Sequence, residues 1–95
     1  MEPSVGRIVH YALDDSDVAA VRTERRRSND TDRGTPVQAG ELVALIVTAV
    51  WPEITGHDTR FQVNGQALLD GNDSLWVTMA SEGSGPGCWR WPARV

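Results

Sequence analysis

The chain of 95 residues lacks lysine, holds one cysteine and has no long apolar run. Its nine basic residues are all arginine, a usage that a GC-rich genome produces without selection on function. Because Cys88 has no partner cysteine, an internal disulfide is excluded and a reducing compartment is favoured. A transmembrane helix needs about 20 consecutive apolar residues, and the longest apolar stretch covers only 42–51. Residues 1–11 lack a signal-peptide pattern, so we expect a cytoplasmic protein with no membrane partner.

Charge and size restrict the possible partners. The net charge of −4 disfavours binding to a nucleic-acid polymer. Each arginine nevertheless offers a planar fork suited to phosphate or carboxylate. The length corresponds to one domain, 1–95, whose core is small and whose stability is marginal without a disulfide or a cofactor. Since no cofactor motif is present, we expect self-association into a homo-oligomer.

The first third of the chain reads as a strand, a helix and a polar loop. Residues 5–11 have the β-branched, mostly apolar character of a strand. A helix is expected to follow, capped by Asp15 or Ser16 and running to about Arg27 or Ser28. Its apolar face is thin, which predicts that it lies on a sheet with most of its circumference in water. Residues 28–36 are polar and are predicted to form a mobile loop.

A strand is predicted over 42–51, bounded by Gly40 and Pro52 and rich in β-branched residues. Strict alternation gives it two apolar faces, one with Leu42, Ile46 and Val50 and the other with Val43, Leu45, Val47 and Trp51. The next segment, 60–69, also alternates, with Phe61, Val63, Ala67 and Leu69 on one side. Asn64-Gly65 is a hairpin signal that would split this segment. Because the alternation continues through Gly65, an unbroken strand is favoured.

The last quarter holds two turns and two strands. After the turn at 70–73, a strand over 74–80 is expected to point Leu75, Val77 and Met79 inward and Trp76 and Thr78 outward. The Gly/Pro-rich loop at 83–87 leads into a short strand, 89–91, with both indoles on one face. The short turns predict an antiparallel meander. The fold class is therefore α+β, a small antiparallel curled sheet or SH3-like β-barrel with one helix inserted after the first strand.

No sequence motif indicates a particular enzymatic reaction. Cys88, His10 and His57 occur at chance frequency, without a recognisable orienting group or oxyanion hole. The acidic turn at 70–73 fails the calcium-loop spacing, and no Cys/His cluster suits zinc. We therefore expect a protein that is not an enzyme and holds no metal or cofactor, with a hydrolase using Cys88 or an acid pair as a third-ranked alternative.

Aromatic and arginine residues supply a candidate binding site. Aromatic planes beside arginine forks are how proteins hold a base and a phosphate together. The arginines at the end of the helix add a local basic cluster. The predicted ligand-binding residues are Trp76, Trp89, Arg90, Trp91, Arg22 and Arg26. The alternatives are that Trp89 and Trp91 close the core and that the arginines form a solvated helix end.

Three sequence blocks carry a resemblance. They are GRIVHY at 6–11, LDGND at 69–73 followed by Leu75-Trp76, and the ending from Glu82-Gly83 through GPG at 85–87 to Trp89 and Trp91-Pro92. This combination resembles small uncharacterised proteins of actinobacteria and their phages. The resemblance covers most of the chain and implies a bacterial or viral accessory protein of a GC-rich host. It implies no particular activity.

These observations lead to one functional hypothesis and one main alternative. The hypothesis is a phage- or prophage-encoded binding module in the host cytoplasm that sequesters an anionic, nucleotide-type signalling ligand. It rests on an analogy of size and residue types with small anti-defence phage proteins that take up host immune nucleotides. The alternative is a virion or assembly protein that docks on a protein partner through exposed tryptophan and arginine.

Overall fold

Five strands close into a barrel, and one helix follows the first strand. The computed structural model describes residues 2–28, 34–55 and 58–93, with the backbone alone at 54, 55, 58 and 59. The elements are β1 (Ile8–Ala12), α1 (Asp15–Arg27), β2 (Leu42–Thr55), β3 (Asp58–Leu68), β4 (Ser74–Glu82) and β5 (Cys88–Arg90). This mixed α+β barrel is consistent with the SH3-like class, which confirms the predicted fold class.

The barrel closes through β1, which pairs antiparallel with both β2 and β5. Strands β2, β3 and β4 follow as an antiparallel meander. Strand β5 runs parallel to β4, so the expectation of a purely antiparallel meander is wrong at this pair. The reason is geometric, because a closed ring with an odd number of strands cannot alternate direction at every pair.

Strand β2 is longer than predicted and changes face halfway. It continues through Pro52 to Thr55, where the sequence pattern had placed its end before the proline. A bulge at Thr48 shifts the register between Val47 and Ala49. Val50 therefore packs against the core, and Trp51 is 42% exposed, the reverse of the predicted faces. Within the described residues, β1 pairs with β2 only as far as Ile46, so the proline occupies an edge position.

Strand β3 passes through Asn64-Gly65 without a turn, as predicted. Gly65 is required there because a Cβ would overlap the carbonyl oxygen of Ile46 on β2. Opposite Asn64, strand β4 bulges, and Met79 adopts a φ of 55° with its N–H donating to Asn64 Oδ1 at 2.7 Å. The prediction that Met79 points inward is wrong, since it is 52% exposed and Ala80 takes the core position.

Helix α1 ends at Arg27, as predicted, but it is capped by Asp14 rather than by Asp15 or Ser16. Asp14 Oδ1 accepts the N–H of Asp17, and the Asp17 side chain accepts the N–H of Asp14, which completes a capping box. The buried stripe of the helix consists of Val18, Val21 and Arg25. Strand β1 begins at Ile8, three residues later than the pattern suggested.

Trp89 is the largest fully buried side chain among the described residues, with no exposed surface. Its indole Nε1–H donates to the carbonyl oxygen of Phe61 at 2.8 Å. The rest of the core comes from β1 to β4, the helix and the segments beside them: Val9, Tyr11, Leu13, Val18, Val21, Val37, Leu45, Val47, Val63, Ala67, Leu69, Val77 and Ala80. Trp89 is therefore a core residue, and the prediction that it contacts a ligand is wrong because a ring without accessible surface cannot stack on one.

Replacing Trp89 by alanine is expected to lower the free energy of unfolding by about 3–5 kcal/mol, since it removes a buried ring and its hydrogen bond. The matched control is Trp51→Ala, which removes an indole that is 42% exposed and is expected to change stability by less than about 0.5 kcal/mol. Urea titrations followed by circular dichroism measure both. Equal losses from the two variants would contradict the assignment of Trp89 to the core.

Candidate functional site

The six predicted ligand-binding residues lie in three separate places. Trp76 is on the outer face of β4, where its register partner on β3 is Gln66. Trp89 and Arg90 are on β5 and pair with β1, and Trp91 follows them. Arg22 and Arg26 project from the helix. The strand pairing therefore does not assemble one site from all six residues.

The tryptophans near β5 are engaged with the protein itself. Trp91 packs edge-on against Trp89, with ring centroids 5.7 Å apart and an interplanar angle of 83°. The Arg7 guanidinium lies over the Trp91 ring, 5.5 Å from its centroid, in a cation–π contact. Arg90 alternates to the opposite face of β5 and is the register partner of His10. The structure therefore does not turn Trp89, Arg90 and Trp91 toward one common ligand position.

The arginines of the helix do share a concave surface. A groove of about 250 Å³ is lined by Arg22, Arg25, Arg26, Pro36 and Val37. Arg22 and Arg26 are four residues apart on one helix face, and both are exposed. The guanidinium of Arg22 donates from Nη2 to the carbonyl oxygen of Val37 at 3.2 Å, which holds it against the groove wall. We call this surface the arginine groove.

Arg25 forms the base of the arginine groove and is buried. Its Nε and Nη2 donate to the two carboxylate oxygens of Asp73 at 2.8 and 3.1 Å, a bidentate pair. Its Nη1 donates to the carbonyl oxygen of Thr35 at 2.9 Å. The Arg25 charge is therefore compensated inside the protein, and its guanidinium positions the segment that carries Pro36 and Val37.

The sequence offered one overlooked signal for this pair. Arg25 continues the stripe of Val18 and Val21 at helical spacing, and this spacing predicts that Arg25 lies on the buried face of the helix. Its partner Asp73 was assigned to the turn alone, because 48 residues separate the two. A buried cation requires an anionic partner, and the turn at 70–73 contains two carboxylates that can supply it.

A second feature is an apolar surface on the outside of the barrel. Two register rows run around the outside of the closed barrel. One contains Ile8, Ile46, Gln66 and Trp76, and the other contains Arg90, His10, Ala44, Leu68 and Ser74. We define the outer apolar face as Ile8, Leu42, Ala44, Ile46, Leu68 and Trp76. Trp76 is 51% exposed and Leu68 46%, which agrees with the predicted outward direction of Trp76.

An open groove borders the outer apolar face. It has a volume of about 430 Å³, and its lining residues include Leu42, Ala44 and Leu68. Glu41 and Asp70 supply its two carboxylates, and the Thr35 hydroxyl donates to Asp70. This part of the outer face is therefore acidic, and Arg90 lies two strands from Ala44 in the same register row.

Tyr11, the chain's one tyrosine, joins β1 to the helix cap. Its hydroxyl donates to Asp17 Oδ2 at 2.5 Å, and the same oxygen accepts the N–H of Asp14 at 3.0 Å. Burial raises the pKa of Tyr11 well above its ordinary value, and the hydrogen bond to Asp17 and the nearby carboxylate charges raise that pKa further. Burial also raises the pKa of Asp17, against the hydrogen bonds that the carboxylate accepts. The network fixes the start of the helix.

The described residues give no support for metal chemistry. Among them, no group of three His, Cys, Asp or Glu side chains is placed to hold a metal ion. His57, which sequence reasoning had considered for catalysis, lies outside the described residues. No helix within the described ranges is long and apolar enough to cross a membrane. Comparison with known proteins found no matching family model, curated protein or solved structure.

Because the folded pKa of Tyr11 lies above its unfolded value, its contribution to stability is complete below about pH 10 and is lost as the pH rises further. We expect the phenolate absorbance to be missing from the folded protein at about pH 11 and to appear when urea unfolds the chain. Tyr11→Phe should lose about 1–2 kcal/mol at neutral pH and flatten the alkaline decline. Ionisation of folded Tyr11 near pH 10 would contradict this description.

Proposed function

We propose that the protein is a non-enzymatic module that binds an anionic, nucleotide-type ligand in the arginine groove. The observation that supports this proposal is the placement of Arg22 and Arg26 on one exposed helix face above Pro36 and Val37. The three predicted tryptophans are left out, since Trp89 is buried, Trp91 lies under Arg7, and Trp76 is on β4 outside the groove lining. Arg90 is likewise left out because it lies on β5, whereas the groove is lined by the helix and by the segment that contains Pro36 and Val37.

The charge of the groove favours an anion. Asp73 compensates Arg25, so among the described residues that line the groove Arg22 and Arg26 supply the charges that a ligand would meet. A guanidinium fork binds phosphate or carboxylate with paired hydrogen bonds, and the bond from Arg22 to Val37 uses only one of its five donors. Pro36 is exposed and offers an apolar wall on which a base or sugar can pack, and the buried Val37 lies beside it. A phosphate attached to a planar, partly apolar group therefore fits the groove.

The biological setting remains part of the proposal. The resemblance to actinobacterial and phage proteins and the exclusive use of arginine support a phage or prophage origin and an anti-defence role in the bacterial cytoplasm. In that role the protein would hold its ligand reversibly and release it unaltered. An enzyme using the groove would instead convert the ligand.

Binding and release of a panel of linear and cyclic nucleotides tests the proposal. The compounds are incubated with the protein, the protein is retained by filtration, and the compounds released by heating are identified by chromatography. We expect one nucleotide to be depleted and recovered intact. If every compound stays free, or if one is returned chemically altered, the proposal is wrong.

Titration calorimetry with the nucleotide recovered in that assay locates the site. Arg22→Ala and Arg26→Ala should each weaken binding by about 10- to 100-fold, because each removes charge-assisted hydrogen bonds. Arg27→Ala is the matched control, since its exposed side chain lies next to Arg26 in sequence but outside the groove lining. If Arg27→Ala weakens binding equally, the effect comes from the overall positive charge of the helix end and not from contacts in the groove.

A docking role is the second candidate function, and the outer apolar face favours it. Contiguous exposed apolar surface centred on a large aromatic side chain is typical of protein interfaces. Trp76 and Leu68 provide exposed apolar surface on the neighbouring strands β4 and β3.

A further inference from the structure

We infer that the ligand of the arginine groove is a single nucleotide unit with a terminal phosphate group, a phosphomonoester, and not a phosphodiester such as a cyclic nucleotide. This inference rests on the proposed function and specifies the chemical class of the ligand. Three properties of the groove support it: the charges that it leaves uncompensated, the placement of its guanidinium groups, and its size.

The described residues of the arginine groove present two uncompensated positive charges to a ligand. Arg25 donates to both carboxylate oxygens of Asp73, so its charge is compensated inside the protein. Arg22 and Arg26 are exposed, and neither forms an ion pair with another described residue. No carboxylate is found among the described residues that line the groove. A dianion therefore neutralises both charges, whereas a monoanion leaves one of them without a partner.

Phosphate esters differ in charge and in the oxygens that they offer. A terminal phosphate carries a charge of about −1.5 to −2 at pH 7 and has three strong acceptor oxygens. A phosphodiester carries a single negative charge, because its second ester bond removes one ionisable oxygen. The terminal phosphate therefore matches the charge of Arg22 and Arg26 together, and the diester matches only one of them.

The two guanidinium groups are placed to share one phosphate. Arg22 and Arg26 are four residues apart on the helix, a spacing at which Cβ atoms lie about 5–6 Å apart. Arg22 Nη2 donates to the carbonyl oxygen of Val37 at 3.2 Å, which holds this guanidinium at the groove wall. Each arginine fork donates paired hydrogen bonds to phosphate oxygens. Three oxygens can accept from both forks, whereas one bidentate fork already engages both free oxygens of a diester.

The size of the groove limits the ligand to one nucleotide unit. Its volume of about 250 Å³ lies below the range of about 300–1,000 Å³ that is typical of pockets for drug-sized ligands. The exposed Pro36 provides the apolar surface on which the base or the sugar can pack. One phosphate at the arginines and one nucleoside at Pro36 use both parts of the groove, so a second nucleotide unit would extend into solvent.

Titration calorimetry with matched ligand pairs tests the inference. The probes are the 5′-monophosphates of the common ribonucleosides and their 3′,5′-cyclic counterparts, so that each pair shares its base and sugar. We expect the 5′-monophosphate to bind at least about tenfold more tightly than its cyclic counterpart. If a cyclic nucleotide or a cyclic dinucleotide binds as tightly or more tightly, the inference is wrong and the proposed function stands. If no nucleotide binds, both are wrong.

Helix variants test whether the two arginines cause the preference for the 5′-monophosphate. Arg22→Ala and Arg26→Ala should each reduce this preference to less than about threefold, because a single fork then remains for either ligand. Arg27→Ala is the matched control, since its exposed side chain lies outside the groove lining, and it should keep the full preference. Circular dichroism checks that each variant is folded. An unchanged preference in Arg26→Ala, or an equal reduction in Arg27→Ala, would overturn the inference.

Discussion

A buried ion pair between Arg25 and Asp73 joins the helix to the barrel, and the geometry of the arginine groove depends on it. Removing two charges from water is costly unless their hydrogen bonds are satisfied inside the protein. Here the carboxylate receives two donors from the guanidinium, and a third donor goes to the carbonyl oxygen of Thr35. One side chain therefore fixes the helix, the turn before β4 and the segment leading to Val37. Arg22, on the same helix, donates a hydrogen bond to the carbonyl oxygen of Val37, and this bond sets the distance between the groove walls.

The barrel itself depends on how a few large side chains are divided between the inside and the outside. Trp89 fills the core and donates its one hydrogen bond to Phe61, so it connects β5 to β3 across the interior. Trp76 and Trp51 lie outside, and Trp91 lies at the boundary beneath Arg7. In a domain of this size one fully buried indole is a large part of the core. The remaining aromatic surface is then available for interaction with other molecules.

Local sequence patterns predicted most of the elements and the fold class, because hydrophobic period and turn residues act over short distances. They did not predict the faces of β2 beyond Val47 or the exposure of Met79. Both depend on bulges, and a bulge is set by the partner strand rather than by the strand's own alternation.

The candidate site was predicted only in part, for related reasons. Trp89 and Trp91 have the same local pattern, and only barrel closure distinguishes the buried ring from the partly exposed one. Arg22 and Arg26 were identified from their helical spacing, whereas the groove between them and Pro36 depends on tertiary packing. The outer apolar face follows from the register of four strands, which no single segment encodes.

A double-mutant cycle on Arg25 and Asp73 tests most directly whether their ion pair holds the helix to the barrel. The free energy of unfolding is measured by urea titration for Arg25→Ala, Asp73→Ala and the combined variant. Each single change is expected to lose about 3–5 kcal/mol, because it removes the paired hydrogen bonds from a buried charge, and the combined variant should lose much less than the sum. Additive losses would mean that the two side chains act independently, and would contradict the role assigned to the pair.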